Sequence, residues 1–216
     1  AAAAQAHDPG CRRCPRLAAH VDAVREAEPA WHCAPVPSWG ERRARLLIAG
    51  LAPGRTGANR TGVPFTGDDS GSFLFQGLVR FGFATAAQHP RWPWRLHGVR
   101  ITNVVRCLPP ENRPTPSEVR NCRPFLSEEL ARLFGAGRRR VAVLALGRVA
   151  HEAVMDALGL ARSAHPFAHG AAYPVGAKGL IVDSFHPSRY NTHTGRLTTP
   201  MFSAVLAHVQ RHLNAI

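Results

Sequence analysis

The sequence contains no apolar run that approaches the ~20 residues of a membrane-spanning helix. Its first ten residues, AAAAQAHDPG, also lack the basic start and the long apolar core of a secretory signal peptide. We therefore expect a cytoplasmic protein without a membrane partner. A chain of 216 residues is long enough to bury one core, so a single domain over residues 1–216 is expected.

Two nucleotide-binding signatures are missing from the most glycine-rich part of the chain. The stretch GLAPGRTGANRTGVPFTGDD, residues 50–69, holds neither the Gly-Lys-Ser/Thr of a phosphate loop nor a G-x-G-x-x-G dinucleotide motif. Residues 50–66 also contain no carboxylate, and acids come only at Asp68 and Asp69. Because its five glycines follow an apolar run at 46–49, the stretch is typical of a strand that ends in a loop close to a ligand.

Lysine is almost absent, since Lys178 is the only lysine among 27 basic residues, against 14 acidic ones. The formal net charge of +13 suits a polyanionic partner. Arginine binds phosphate through a bidentate fork and stacks on bases, which favours nucleic acid. A GC-rich genome would be an alternative reason for arginine over lysine, but it does not explain the excess of base over acid.

Four short apolar runs predict buried parallel strands, at 45–50, 100–105, 140–146 and 179–185. The amphipathic segments among them predict helices near 16–28, 70–82, 116–134, 148–158 and 199–213. This alternation predicts an α/β fold, a three-layer α/β/α domain with a central four-stranded, mainly parallel sheet. Ligands bind beyond the carboxyl ends of such strands, so we expect the site in the loops that begin at Gly50, Cys107, Gly147 and His186.

Helix starts are marked by polar side chains. Asp69 or Ser70 is expected to cap the helix near 70–82, and TPSE at 115–118 predicts a capping box.

The five cysteines do not predict a disulfide framework, because intracellular thiols stay reduced. Cys11 and Cys14 form a C-x-x-C pair, and Cys107 and Cys122 form a second pair with a longer gap. Thiolates from two separated segments predict a Cys₄ site for zinc or an iron–sulfur cluster, and the long gap favours the cluster. Cys33 matches neither pair. Ordinary buried cysteines are the alternative.

Three groups of motifs resemble a known family. They are GLAPG with NRTGVPFTGDD at 50–54 and 59–69, the cysteine pattern with NVVRCLPPENRPTP at 103–116, and HPSRYNTHTGRL at 186–197. They resemble the iron–sulfur uracil-DNA glycosylases, most closely the family 5 (b-type) branch, over nearly the whole chain. The resemblance implies hydrolysis of the N-glycosidic bond of uracil, and of hypoxanthine and xanthine, to leave an abasic site for base excision repair.

The resemblance also implies the partner and the cofactor. Double-stranded DNA that contains deaminated bases would be the substrate, with single-stranded DNA as a second candidate, and the protein would act as a monomer. A [4Fe-4S] cluster would be held by four metal ligands, Cys11, Cys14, Cys107 and Cys122. Because glycosylases that also cut the strand use an amine, and Lys178 is predicted in a turn, a monofunctional enzyme is expected.

A flipped base needs a tight pocket, and the resemblance implies which residues form it. Phe65 would stack on the base, and the Asn103 amide would pair with O4 and N3–H of uracil. The remaining base-binding residues would be Gly50, Leu51, Ala52 and Gly54. Phe65 and Asn103 also have simpler alternative roles, since Phe65 could be a core aromatic and Asn103 a polar residue at a strand end.

For catalysis, the resemblance implies that His186 donates a hydrogen bond to the departing base. Leu51 and Ala52 stand where related families carry an acid that polarises water, a departure that the family 5 branch shares. Asp68 and Asn112 are therefore implied as the residues that assist the water, although Asp68 could equally be a helix cap.

The loop after His186 would contact DNA in the minor groove, with Arg189 or Tyr190 filling the space left by the base. The implied DNA-binding residues are Arg189, Tyr190, Asn191 and Arg196.

Other functions remain open at the level of sequence. The chain could be a non-catalytic iron–sulfur or zinc nucleic-acid-binding protein. It could also be a metallohydrolase, since His165 and His169 are four residues apart, but Pro166 opposes a helix there.

Overall fold

The computed structural model describes residues 8–89, 93–135, 137 and 139–215. Its helices are α1 Pro15–Ala27, α2 Ala58–Thr61, α3 Asp69–Arg80, α4 Pro116–Phe134, α5 Arg148–Leu158, α6 Arg189–His193 and α7 Thr199–Asn214. Its strands are β1 Trp39–Gly40, β2 Leu46–Gly50, β3 Ala84–Ala86, β4 Trp94–Leu96, β5 Val99–Asn103, β6 Val141–Leu146, β7 Ala172–Val175 and β8 Gly179–Ser184. Within these ranges, no helix has the length and apolar content needed to cross a membrane.

The central sheet is mainly parallel, as predicted. Its strand order is β1-β5-β2-β6-β8-β7, and the four predicted strands are the parallel ones in the middle. The prediction of four strands was wrong in number, because the described sheet has six. The additional edge strands, β1 and β7, pair antiparallel to β5 and β8. β1 has only two residues and β7 contains Pro174, so neither shows an apolar run.

Successive residues of β2 point to opposite faces of the sheet, and helices cover both faces. Leu46 and Ile48 belong to the core cluster that contains residues of α3 and α7. Leu47 and Ala49 belong to the cluster on the other face, with residues of α1, α4 and α5. The predicted three-layer α/β/α arrangement is therefore confirmed.

Side-chain caps fix where the helices begin beside the site. The predicted capping box at α4 is present, with Thr115 accepting from the Glu118 amide and Glu118 accepting from the Thr115 amide. The predicted cap of α3 was wrong, because Asp68 rather than Asp69 or Ser70 accepts from the Gly71 amide, at 2.9 Å. Asp68 has the extended backbone of an N-cap residue, whereas Asp69 is already helical.

A buried ion network ties α4 to the sheet beneath the site. Glu129 on α4 has no exposed side-chain surface and accepts from Arg100 on β5 at 2.9 Å. It also lies 3.5 Å from Arg106, which is buried as well, and 3.4 Å from Arg132 one turn further along α4. Because Arg106 directly precedes Cys107, the network holds the loop that leaves β5.

We expect Glu129→Gln to lower the free energy of unfolding by about 3 kcal/mol, because buried guanidinium charge loses its counter-charge. Urea denaturation measures the change. The matched control is Glu128→Gln, since Glu128 pairs with Arg132 at a partly exposed position and should contribute at most about 1 kcal/mol. Equal losses for the two variants would contradict a special role for the buried network.

Candidate active site

A cavity of about 370 Å³ lies beyond the carboxyl ends of β2, β5 and β8. It brings together ten residues that the sequence motifs single out: Leu51, Ala52, Gly54, Phe65, Asp68, Asn103, Asn112, His186, Arg189 and Tyr190. Ala58, Ser70 and Ser188 also line it and were missed, although Ser70 and Ser188 lie within or next to the same motifs. The loops after three strands thus converge at the predicted edge of the sheet, whereas the predicted loop at Gly147 lines a neighbouring cavity instead.

Gly50, predicted to bind the base, is not among the residues that line the cavity, but two residues that do line it lie close to its backbone. Gly50 pairs in register with Asn103 on the neighbouring strand. A Cβ atom at Gly50 would come within 2.5 Å of the Asn103 Oδ1 atom and 2.6 Å of the Phe65 ring. No real Cβ tolerates such distances, so glycine is what allows the phenyl ring and the amide to approach each other.

Phe65 presents an aromatic ring at the cavity from an unusual backbone conformation. Its φ angle of 56° lies in the left-handed region, which costs a non-glycine residue on the order of 1–2 kcal/mol. Gly71 accommodates this conformation, since a Cβ there would be 2.0 Å from the Phe65 carbonyl oxygen. The ring centroid lies 5.9 Å from that of His186, with the planes 31° apart. The two rings are therefore neighbours in the lining of the cavity.

Asn103 supplies an acceptor that is not used by the rest of the molecule. The residue is buried, and among the described residues its Oδ1 atom has no hydrogen-bond partner. A buried amide oxygen without a partner is destabilising, and such groups concentrate where a ligand satisfies them. Asn103 thus fits a ligand that donates an N–H group.

His186 is half-buried in the cavity wall, directly after the last strand. Burial lowers the pKa of its imidazole to about 4, because the charged form loses hydration. The ring is therefore neutral at neutral pH and carries one N–H donor. The side-chain amide of Asn191 donates to the His186 carbonyl at 2.8 Å and holds this loop in place.

Asp68 and Asn112 provide polar groups on the remaining wall. Asp68 caps α3 with Oδ1, and its Oδ2 lies so close to Gly57 that a Cβ there would be 2.1 Å away. Burial raises the pKa of Asp68, against the opposing effect of the Gly71 hydrogen bond. The cap and the cavity position are therefore properties of one carboxylate rather than alternatives. Asn112 is exposed and reaches the cavity from a left-handed turn, with a φ angle of 56°.

The mouth of the cavity is basic and aromatic. The side chain of Arg189 is 76% exposed and lies 3.8 Å from Asp69, and Tyr190 is 69% exposed. Asn191 and Arg196 do not line this cavity but a neighbouring one. Their predicted contacts with DNA stay predictions.

The four predicted cluster cysteines are neighbours. Cys122 is buried in one core cluster, and Cys11, Cys14 and Cys107 pack against that same cluster. Burial, followed by the proximity of the other thiols, raises the pKa of Cys107 to about 12, and burial raises that of Cys122 to about 11. Thiols with these pKa values ionise at neutral pH only when a cation binds them.

Two other predictions about metal ligands can be compared with the structure. Cys33 is buried, and its sulfur accepts a hydrogen bond from the Asn59 side-chain amide at 3.5 Å. This bond involves none of the four paired cysteines. His165 and His169 do not lie in a helix, and His169 accepts from the Phe185 amide at 3.1 Å. In the described part of the chain, no group of three or more His, Cys, Asp or Glu is arranged to hold a metal ion. Nothing there favours a metallohydrolase.

The fold and the cavity define an α/β protein with a ligand-sized pocket at the carboxyl edge of its sheet, lined by aromatic, amide and acidic side chains. The family model described as the uracil DNA glycosylase superfamily matches residues 37–210. A type-5 uracil-DNA glycosylase of Thermus thermophilus is 47% identical over 208 residues, covering 93% of each chain. A type-5 uracil-DNA glycosylase of Pyrobaculum aerophilum is 42% identical, over 91% of this chain and 86% of its own.

Among solved structures, the crystal structure of mimivirus uracil-DNA glycosylase covers 68% of this chain and 51% of its own, with 18% identity and a TM-score of 0.40. The family match and the type-5 relatives show that the chain belongs to the uracil-DNA glycosylase superfamily, within its type-5 branch of hydrolases. The family predicted from the sequence motifs is confirmed.

We expect Gly50→Ala to keep the fold but to lose most binding of a ligand in the cavity. The added methyl group must displace either the Phe65 ring or the Asn103 amide, both of which line the cavity. Free uracil, titrated against each variant by NMR, measures the binding. A suitable control is Gly10→Ala, since a Cβ at Gly10 would lie 3.6 Å from its nearest neighbour. Unchanged uracil binding by Gly50→Ala would contradict the proposed geometry.

Proposed function

We propose that this uracil-DNA glycosylase binds uracil, flipped out of DNA, in the cavity lined by Phe65, Asn103 and His186 and hydrolyses its N-glycosidic bond. The observation that carries the proposal is the unsatisfied Oδ1 atom of Asn103, a residue that lines this cavity of about 370 Å³. Uracil offers an N3–H group to this acceptor and a flat face to the Phe65 ring. The product is DNA with an abasic site, which base excision repair would process.

The departing base is the group that most needs stabilisation. When the glycosidic bond breaks, the sugar becomes oxocarbenium-like and negative charge develops on the base. The neutral imidazole of His186 donates its N–H to a base carbonyl, and this hydrogen bond strengthens as charge accumulates on that oxygen. Because its pKa is about 4, His186 performs this role without being protonated first.

Water must then attack the sugar, and no acid stands at the start of the first loop to activate it. Leu51 and Ala52 have apolar side chains. Asp68 and Asn112 are the cavity residues that could orient a water molecule, and both lie on the wall formed by the loops after β2 and β5. We infer that Asp68 positions the water while stabilisation of the base supplies most of the rate.

Because stabilisation of the departing base supplies most of the rate, we expect the enzyme to accept a broad range of bases. A hydrogen bond from His186 serves any base with a suitably placed carbonyl, and the small side chain of Ala52 leaves space beside the ring. We propose uracil as the first substrate and hypoxanthine and xanthine as further ones. Asn103 favours uracil among them, because its amide matches the pyrimidine edge.

A [4Fe-4S] cluster is proposed as the resident cofactor, held by Cys11, Cys14, Cys107 and Cys122. The convergence of the four thiols on one core cluster supports it. A metal ion needs its ligands gathered around one point, whereas a cluster accepts four thiolates that are spread further apart. The cluster would tie α1 to α4 and so support the fold. No step of the hydrolysis passes through it.

The DNA would lie across the mouth of the cavity. Arg189 and Tyr190 project from it, Arg196 lies nearby, and the whole chain carries a net charge of +13. Such a surface attracts the phosphate backbone irrespective of sequence.

Three variants test the proposed roles of His186, Asp68 and Asn103. The rate of each is measured by single-turnover excision of uracil and of hypoxanthine. His186→Ala should slow both substrates by about 10²–10³-fold, the typical effect of losing one positioned donor. Asp68→Asn should have a smaller effect that depends on the substrate. Asn103→Ala should slow uracil more than hypoxanthine. Loss of activity in Asp68→Asn together with a nearly silent His186→Ala would instead indicate an acid-driven mechanism.

The cofactor is tested by metal content. Protein purified without air should be brown and contain about four iron atoms per chain, as a [4Fe-4S] cluster requires. Cys107→Ser should lose iron and unfold at lower temperature, because a ligand to a structural site is missing. Cys33→Ser is the control and should keep its iron. Zinc in place of iron in the wild type would overturn the cluster.

The affinity for DNA should fall steeply as salt increases, because phosphate contacts release counterions. Arg189→Ala should weaken binding to DNA with and without a lesion alike, and should make the salt dependence less steep. Arg80→Ala, at the opposite end of α3 from Asp68, is the control. Fluorescence anisotropy measures both. Affinity that does not depend on salt would contradict this DNA face.

A further inference from the structure

A second cavity, of about 450 Å³, adjoins the first. Leu51 and His186 line both cavities, so the two share a wall. The second cavity is bounded by the start of α5, by residues 167–169 and by the loop after β8. None of its other lining residues is needed for the chemistry proposed above, so this space is available for a different part of the ligand.

Two arginines that line this cavity place their guanidinium groups over aromatic rings. The Arg196 guanidinium is 4.8 Å from the centre of the Phe185 ring, and the His169 ring stacks on Phe185 at 5.0 Å with planes 20° apart. The Arg148 guanidinium is 5.5 Å from the centre of the Phe167 ring. A guanidinium that is held in this way keeps its N–H donors in its own plane and offers a flat, cationic face.

The aromatic wall is held in place by hydrogen bonds rather than by the ligand. His151 is buried and contacts Asp183 through Nδ1 and the His165 carbonyl through Nε2, both at 2.8 Å. His169 accepts from the Phe185 amide at 3.1 Å. The segment that carries Phe167 is thus fixed on both sides, and the cavity is formed before any ligand binds.

The remaining lining is apolar. Leu146, Val149 and Ala150 contribute to it, and Val149 is 40% exposed although it is a large aliphatic residue. A phosphate alone would gain nothing from such a surface. A flat, weakly polar ring that carries a phosphate would match both the apolar wall and the arginines.

We propose that this second cavity binds the nucleotide that flanks the target base on the same strand, with its base against the Arg148 and Arg196 faces. The inference rests on the proposed function, because the adjoining cavity can receive the neighbouring nucleotide only if the first cavity holds the flipped base. A base that occupies the second cavity has left its own partner. The site therefore favours single-stranded DNA, or a duplex that is opened on one side of the lesion.

The test uses short single-stranded oligonucleotides that carry a non-cleavable 2′-fluoro-deoxyuridine at the target position, so that binding is read without turnover. The flanking base is removed on the 5′ or the 3′ side by placing a tetrahydrofuran residue there. For the wild type, removal on one side should raise Kd about tenfold or more, the size expected for one stacked base. Removal on the other side should have little effect.

Arg148→Ala and Phe167→Leu should each lose this sensitivity, so that Kd is nearly the same with and without the flanking base. Because Arg148 is exposed, its replacement by alanine should leave the fold intact. Arg148→Ala therefore remains a valid test if Phe167→Leu is unstable. Arg80→Ala is the control and should keep the full effect.

The inference is overturned if the wild type is indifferent to both flanking bases, or if both variants keep the full effect. It is also overturned if a methylphosphonate beside the target weakens binding while base removal does not, since the site would then hold only phosphate. Excision of ordinary deoxyuridine is measured separately. Lack of excision would count against the proposed function alone, because the binding readout does not require cleavage.

Discussion

The site depends on one close contact, made where β2 ends. Gly50 has no side chain, and this allows the Phe65 ring and the Asn103 amide to meet above its backbone. Phe65 adopts its left-handed backbone only because Gly71 also lacks a side chain beneath its carbonyl. Two glycines thus allow this arrangement of the Phe65 ring and the Asn103 amide, whose buried oxygen has no hydrogen-bond partner in the described structure.

The charged surface and the neutral side chain of His186 have different electrostatic roles. The arginine-rich surface supplies the attraction for a polyanion, with a net charge of +13. His186 is different, since burial lowers its pKa and keeps its ring neutral in the cavity wall. In the proposed reaction, a neutral donor stabilises an anion that forms late without binding the uncharged base too strongly beforehand. We therefore propose that positive charge attracts the DNA, whereas hydrogen bonds act on the leaving base.

The sequence predicted the features that depend on local pattern. Continuous apolar runs identified the four central strands, and the motifs at their carboxyl ends identified most of the residues that line the first cavity. Features set by tertiary contacts were missed. β1 and β7 are too short or too irregular to show a pattern, and the dual position of Asp68 depends on how Gly57 packs. The second cavity joins residues 167–169 to β8, which no local motif indicates.

We infer that a neutral His186 donates a hydrogen bond to the base in this cavity. The most direct test is the ¹⁵N NMR spectrum of the His186 ring, recorded over a pH titration with and without DNA that carries a non-cleavable deoxyuridine analogue. We expect a neutral ring from pH 8 down to about 5, since burial lowers the pKa to about 4, and a shift of its protonated nitrogen when the DNA binds. An imidazolium at pH 7, or a spectrum that the DNA leaves unchanged, would contradict it.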